Sequence, residues 1–212
     1  MKLHSPGEEK PKTRLEALAD GTFAIVFTIL VLELFIRNQH FVDAEGLCQY
    51  LLGLAPKFLS YLLSFAILAT YWLGHAEQLY FVRRINRPFV LTNLLFLFFI
   101  ALIPFSTSLI SEYSEFSLST RLYGLNLVCC QLAFYWNWQL ACSPRLQRLG
   151  LNSGVIKGHQ RYIVLGLVFQ LIGIGISYLQ AWLGLLILAL IPLTYLVVLA
   201  RDKRSFDELY LE

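Results

Sequence analysis

Apolar residues follow one another along this chain in six segments, each long enough to cross a lipid bilayer as a helix. The segments lie at residues 15–36, 56–80, 88–110, 119–141, 161–179 and 183–200. A transmembrane helix needs about 20 predominantly apolar residues. Pro56, Pro88 and the pair Ser143–Pro144 stand where such helices begin or end, which are favoured places for proline. The pattern predicts an all-α membrane protein with six transmembrane helices in each subunit.

The composition supports this interpretation and excludes several other classes. Hydrophobic residues make up 57% of the 212 residues, more than a soluble domain of this size can bury. The net charge of +3 is small and scattered, so no nucleic-acid partner is expected. We find no metal-binding or hydrolase motif, and His4, His40 and His159 are predicted to be solvated loop residues, so the chain is not expected to be an enzyme.

Basic residues give the bundle an orientation. If the N-terminus is cytoplasmic, 14 of the 17 Lys and Arg residues fall on the inner side, and Arg37, Lys57 and Arg121 remain outside. The positive-inside rule therefore predicts a multi-pass protein with both termini in the cytoplasm, and we expect it in the cell inner (plasma) membrane. Residues 1–212 are predicted to form one domain, with short cytoplasmic tails at 1–13 and 201–212.

The first segment has one smooth stripe. At about 100° per residue, one face carries Gly21, Ile25, Thr28, Ile29 and Leu32. Such a stripe can face lipid or a packed core, but the glycine and the threonine are poor choices against lipid. Glu33 lies beside its outer end, where a cation would enter. These features favour a hydrophobic constriction that gates ions by dewetting.

Asp20 is predicted to lie on the opposite face, towards the interior of the bundle. An unpaired carboxylate inside a membrane costs at least ~3 kcal/mol, so it needs partners. His75 and Asn93 have a similar predicted depth on the second and third segments, with Trp72 one turn from His75. This group can be a structural knot that pins three helices or a proton relay. The knot is favoured, because the carboxylate points away from the stripe.

A family resemblance follows from these residues. The run Arg14-x-x-x-Leu18-Ala19-Asp20-Gly21, continued by TFAIVFTILVLEL, resembles the signature of the transmembrane protein 175 family, Arg-x-x-x-Phe-Ser-Asp-Gly before an aliphatic helix. Residues 71–110, with Trp72, His75, Asn93 and PFST at 104–107, are similar to the second and third helices of that family. Leu18 and Ala19 depart from the pattern, and Ala19 lacks the serine hydroxyl.

The resemblance implies a homotetramer in which the first helix of each subunit lines a central pore. It implies that Ile25, Ile29 and Leu32 form the pore constriction and that Thr28 contributes to potassium selectivity. Glu33 is expected at the pore mouth. Arg14 and Asp20, with Trp72, His75 and Asn93, are expected in a polar network behind the pore helix. The resemblance implies potassium as the permeating ion, and no cofactor is expected.

Two functions remain open at this point. The first is a potassium-permeable cation channel with a hydrophobic constriction on the first helix. The alternative is a proton-coupled secondary transporter that uses Asp20 and His75 as a relay. Transporters often have paired helix breaks at the binding site. Pro104 and Pro192 lie within spans, but they form no matched pair of interruptions, and the glycines of the fifth segment are interpreted as packing surfaces.

Overall fold

Most of the chain is helical in the residues that the computed structural model describes, which are 12–34, 43–147 and 153–195. The helices are α1 (Lys12–Leu30), continued by a 3-10 turn (Val31–Leu34), α2 (Ala44–Gly53), α3 (Ala55–Phe81), α4 (Arg87–Ala101), α5 (Ile103–Glu112), α6 (Ser117–Ala141), α7 (Ser153–Ser177) and α8 (Ala181–Leu188). The prediction of an all-α protein is confirmed for this part of the chain.

Helix lies within each of the six predicted spans, but not every one of these helices is long and apolar enough to cross a membrane by itself. Three helical segments of the described residues are long and apolar enough to cross a membrane, namely Ala55–Phe81, Arg87–Glu112 (α4 and α5 together) and Ile156–Ser177, and a shorter apolar segment covers Ala181–Tyr195. The far ends of the first and sixth predicted spans lie outside the described residues, as do the predicted tails apart from Lys12 and Thr13. The count of six transmembrane helices therefore stays a prediction.

Two helices differ from the sequence pattern for local reasons. Residues 44–53 were expected in an outer loop, but they form α2, whose first turn is capped where the Asp43 carboxylate accepts a hydrogen bond from the Gly46 amide at 2.8 Å. Such a cap satisfies a backbone donor that would otherwise be unpaired. The third predicted span is broken at Leu102 into α4 and α5, because Pro104 in the first turn of α5 has no N–H to continue the ladder.

The subunit is built around α3 and α6. Helix α1 packs against α3, α4 and α5, and α6 packs against α4, α5 and α7, while α8 lies on α7. Small residues bring the last three helices together: a methyl group on Gly184 would lie 2.7 Å from the Gly173 carbonyl oxygen. Gly166 and Gly173 are packing positions as predicted, whereas a methyl group on Gly175 would meet nothing within 4 Å.

Candidate functional site

One face of α1 attaches the helix to its own subunit. Its members are apolar, at most 5% exposed and spaced at helical intervals: Leu15, Ala19, Phe23, Val26 and Leu30. This spacing puts all five on one stripe, which packs on α3, α4 and α5. Burial of the stripe therefore fixes which residues of α1 point away from the subunit.

The residues that point away form the α1 ridge, defined here as Gly21, Ile25, Thr28, Ile29 and Leu32. In the isolated subunit Ile25 is 59% exposed, Ile29 41% and Leu32 63%. Gly21 and Thr28 are exposed too, and no atom lies within 4 Å of a methyl group placed on Gly21. The ridge is therefore a continuous surface that its own subunit leaves uncovered.

The hydroxyl of Thr28 has a fixed direction. It donates a hydrogen bond to the Ile25 carbonyl oxygen at 2.7 Å. Because a hydroxyl also carries two acceptor lone pairs, its oxygen can still accept from water or coordinate a cation. Glu33 lies in the 3-10 turn that follows α1, and its side chain lies outside the described part of the structure.

Asp20 is exposed, and the expectation that it faces the bundle interior is wrong. The buried stripe is centred near Ala19, and the next residue stands about 100° further round the helix. Asp20 therefore lies on the flank of α1, between the stripe and the ridge. There its carboxylate accepts a hydrogen bond from the Trp72 indole nitrogen at 3.0 Å. This bond ties the flank of α1 to α3.

His75 and Asn93 meet in the interior, where both are almost completely buried. The His75 Nε2 and Asn93 Oδ1 atoms are 2.6 Å apart, and the imidazole stacks on Phe96 with ring centroids 5.3 Å apart. Asn93 donates to the side-chain oxygen of Asn137 at 3.3 Å, and Thr92 donates to the same atom at 2.6 Å. The group joins α3, α4 and α6.

The predicted network is therefore two groups. Asp20 pairs with Trp72, and His75 pairs with Asn93. No direct hydrogen bond links Asp20 to His75 among the described residues. Arg14 is exposed and makes no ion pair with Asp20 in this part of the chain.

The two departures from the family signature have different surroundings. Ala19 is buried in the stripe at 1% exposure, whereas Leu18 is 48% exposed. The methyl group of Ala19 therefore serves packing, and the hydroxyl expected at this position is replaced by an apolar contact.

Two sets of residues in the structure were not predicted from the sequence. The first is Asn137 and Thr92, although an amide in an apolar segment is a signal of an interhelical hydrogen bond. His159 was predicted to be solvated, which is wrong, because α7 begins at Ser153 and His159 is only 5% exposed. The helical spacing of the residues that follow could have indicated this, because His159 shares one face of α7 with four residues that are also buried: Tyr162, Ile163, Gly166 and Gln170.

The acidic, histidine and cysteine side chains in the described ranges form no group of three that could hold a metal ion. The α1 ridge and its flank offer apolar side chains, one hydroxyl and one carboxylate.

Comparisons with known proteins point to channel proteins. The family model described as endosomal/lysosomal potassium channel TMEM175 matches residues 14–104. A potassium channel of Chamaesiphon minutus is 28% identical over 181 residues, which cover 84% of this chain and 89% of that protein. The endosomal/lysosomal proton channel TMEM175 of Gallus gallus is 32% identical over 118 residues, which cover 51% of this chain and 23% of that protein.

The fold comparison extends over most of the chain. The crystal structure of a lysosomal potassium-selective channel TMEM175 homolog from Chamaesiphon minutus superposes with a TM-score of 0.77 at 26% identity. The match covers 88% of this chain and 96% of that one. Residues 14–104 thus resemble the TMEM175 channel family in sequence, most of the chain resembles a TMEM175 homolog in fold, and the apolar helices fit a membrane protein.

Proposed function

We propose that the chain is a potassium-permeable cation channel, assembled as a homotetramer in which four copies of α1 surround the conduction path. The names of its relatives support a potassium channel, and the likeness to a potassium-selective homolog supports the same architecture. The distribution of basic residues supports an orientation with both termini in the cytoplasm, and the proposed location is the plasma membrane. Potassium is the permeating ion, not a bound cofactor.

The exposed face of α1 is the observation that carries the proposal. That face contains the apolar ridge, and Arg14 and Asp20 are exposed near it. A charged side chain that faces lipid near the middle of a membrane costs at least ~3 kcal/mol. The face therefore meets other subunits and water, and a four-fold arrangement satisfies both requirements because the ridge then faces the axis.

The ridge supplies the constriction. Ile25, Ile29 and Leu32 follow one another over about 10 Å of helix, so four subunits would form three successive apolar rings. A pore narrowed by such rings excludes water when it is closed and admits hydrated ions when it widens. Thr28 places a hydroxyl oxygen between the first two rings, and Glu33 would raise the local cation concentration at the mouth.

The hydrogen bond between Asp20 and Trp72 fixes the rotation of α1 about its own axis relative to α3. The indole of Trp72 reaches from α3 to the flank of α1, so a rotation of α1 that moved the ridge off the axis would break this bond. The buried group of His75 and Asn93 keeps α3 beside α4. Arg14 lies about one and a half turns before Asp20 and extends the polar flank towards the cytoplasmic end of the helix.

The transporter alternative is not favoured. A relay needs a proton path between Asp20 and His75, but the two side chains belong to separate hydrogen-bonded groups among the described residues. The relatives are channels by name. A transporter would show saturable, coupled uptake, whereas a channel would show unitary currents.

The decisive experiment measures reversal potentials of the purified protein in a planar bilayer, with potassium on one side and sodium on the other. We expect unitary currents whose reversal potential is shifted from zero towards the equilibrium potential of potassium. A correctly assembled tetramer that passes no current under a range of voltages would refute the channel. A reversal potential that follows protons alone would refute potassium permeation.

A further inference from the structure

The connection from α3 to α4 and the chain that follows α6 are joined at one end of the bundle. The Arg83 amide donates to the Leu146 carbonyl oxygen at 2.8 Å, and Val82 pairs with Gln147 in an antiparallel bridge. Val82, Ile85 and Leu146 are at most 6% exposed, so apolar side chains anchor both segments to the helices. The two segments therefore form one fixed surface rather than two independent loops.

This surface carries arginine side chains and no acid. Its basic members are all exposed, and we call them the arginine patch: Arg83, Arg84, Arg87 and Arg145. Residues 82–90 and 141–147 contain no Asp or Glu. Arg83, Arg87 and Arg145 form no ion pair within the described ranges. These three charges are therefore open to an anion from outside the subunit.

The start of α4 adds to the positive field of the patch. The Asn86 side chain caps this helix by accepting a hydrogen bond from the Phe89 amide at 3.0 Å. Arg87 is the first residue of the helix, and the first turn contains no acidic residue. Because a helix N-terminus carries a partial positive charge, it favours an anion and disfavours a cation such as Arg87. An anion bound beside Arg87 would offset both positive charges.

The depth of the patch matches the headgroup region of a bilayer. Thr92 and Asn93 of α4 contact Asn137 of α6, so Trp136 lies at about the same level. Trp136 is 60% exposed, and tryptophan is enriched at the membrane interface. Arg87 precedes Thr92 by five residues, which is about 7.5 Å along the helix axis. The patch is therefore placed outside the hydrocarbon core, at the level of lipid phosphates.

We propose that the arginine patch binds the phosphate headgroup of an anionic phospholipid, whose acyl chains lie along the exposed face of α4. That face begins about one turn beyond Arg87 and presents Leu91, Leu95 and Phe98, which are exposed and follow helical spacing. Basic clusters at the membrane ends of helices bind anionic head groups, and guanidinium groups bind phosphate through paired hydrogen bonds. The proposal requires membrane insertion only and does not depend on the channel function.

Charge complementarity favours a lipid over a second copy of this chain as the occupant. Toward this end of the bundle the acidic side chains are Glu16, Asp20 and Glu77, and each faces a partner within its own subunit. A neighbouring subunit thus offers no unpartnered carboxylate here among the described residues. By contrast, the cytoplasmic leaflet, which the patch is predicted to face, has a negative surface potential that attracts basic segments.

Tryptophan quenching by brominated lipids tests the proposal. The full chain is reconstituted in phosphatidylcholine vesicles, into which brominated phosphatidylglycerol or brominated phosphatidylcholine is titrated. Trp136 is exposed beside the patch, whereas Trp138 is buried and Trp182 lies at the other end of the bundle. We expect brominated phosphatidylglycerol to quench at a much lower mole fraction than brominated phosphatidylcholine. W136F should lose this selective component.

Paired substitutions separate a site from diffuse surface charge. Each arginine beside an anionic surface contributes about a factor of five in affinity, so R87Q/R145Q should reduce the preference for phosphatidylglycerol about twenty-five-fold. R87K/R145K retains both charges and should retain most of the preference. K157Q/R161Q removes two exposed charges from α7 instead and should match the parent.

Four results would overturn the proposal. In the first, both brominated lipids quench the parent alike. In the second, K157Q/R161Q loses as much preference as R87Q/R145Q, which would indicate diffuse attraction. In the third, soluble glycerol phosphate competes as well as the lipid, which would identify a free anion. In the fourth, Trp136 is not quenched and L91C forms cross-links between subunits, which would assign this face to a second copy. Selective quenching in a tetramer that carries no current would support the lipid site and refute the channel.

Discussion

Replacing Ile25 by asparagine tests whether the α1 ridge closes the conduction path. Ile25 is 59% exposed in the subunit, so less than half of its side chain contributes to packing within its own chain. Full burial of an isoleucine is worth about 1.5–3 kcal/mol. The loss to the folded subunit is therefore only about 1 kcal/mol, and I25N should fold and assemble.

The same change should act strongly on the pore. Four amides would replace the first apolar ring, and each can hold water by hydrogen bonding, so the closed constriction should hydrate. A tenfold rise in flux requires about 1.4 kcal/mol at the barrier, or about 0.35 kcal/mol from each of four subunits. We expect potassium efflux from liposomes to rise at least tenfold, measured with a potassium-sensitive dye.

A matched control separates the pore from the membrane-facing surface. Leu165 on α7 is 45% exposed and lies away from the ridge, so L165N makes the same polar substitution without touching α1. It should leave efflux at the parental level. The reasoning fails if I25N forms a normal tetramer by cross-linking and yet its efflux equals that of the parent and of L165N.

Three further substitutions test other parts of the site. T28V keeps the volume but removes the hydroxyl oxygen, so the reversal potential between potassium and sodium should move towards zero; an unchanged value would exclude Thr28 from selectivity. W72F removes the donor to Asp20 and should lower stability by about 0.5–1 kcal/mol while the open probability changes; unaltered gating would contradict a positioning role. N93L leaves His75 without its partner, and thermal unfolding in detergent should show a loss of about 1–3 kcal/mol; parental stability would refute this.

The sequence contained most of the information on α1. The helical period groups Gly21, Ile25, Thr28, Ile29 and Leu32 on one face, and in the structure these residues form the exposed α1 ridge. The position of Asp20 could not be derived in the same way, because it depends on which of the other faces docks on α3. In the structure the face with Phe23 and Val26 is the one that is buried. A helical wheel shows that α1 has two apolar faces, but it does not tell which of them packs against the subunit.

Other errors arose from local chemistry that hydropathy does not record. The hydrophobic run before Pro56 belongs to α2, which is too short to cross a membrane but has a good cap in Asp43. His159 was assigned to a loop because α7 was taken to begin near Arg161, eight residues later than it does. A position in the second turn of a helix can face inwards, whereas the same residue in a loop would be solvated.

The hydrogen bonds divide the subunit into a fixed part and a part that is held more lightly. In the described ranges one side-chain hydrogen bond, from Trp72 to Asp20, joins α1 to another helix. By contrast, Tyr71 on α3 bonds to Gln131 on α6 at 2.8 Å and accepts from Gln170 on α7 at 3.0 Å. Each buried polar pair costs more to break in a membrane than apolar contacts cost to slide. In the proposed channel, the pore would therefore widen by a tilt of α1 on its buried face, which disturbs at most the bond from Trp72 to Asp20.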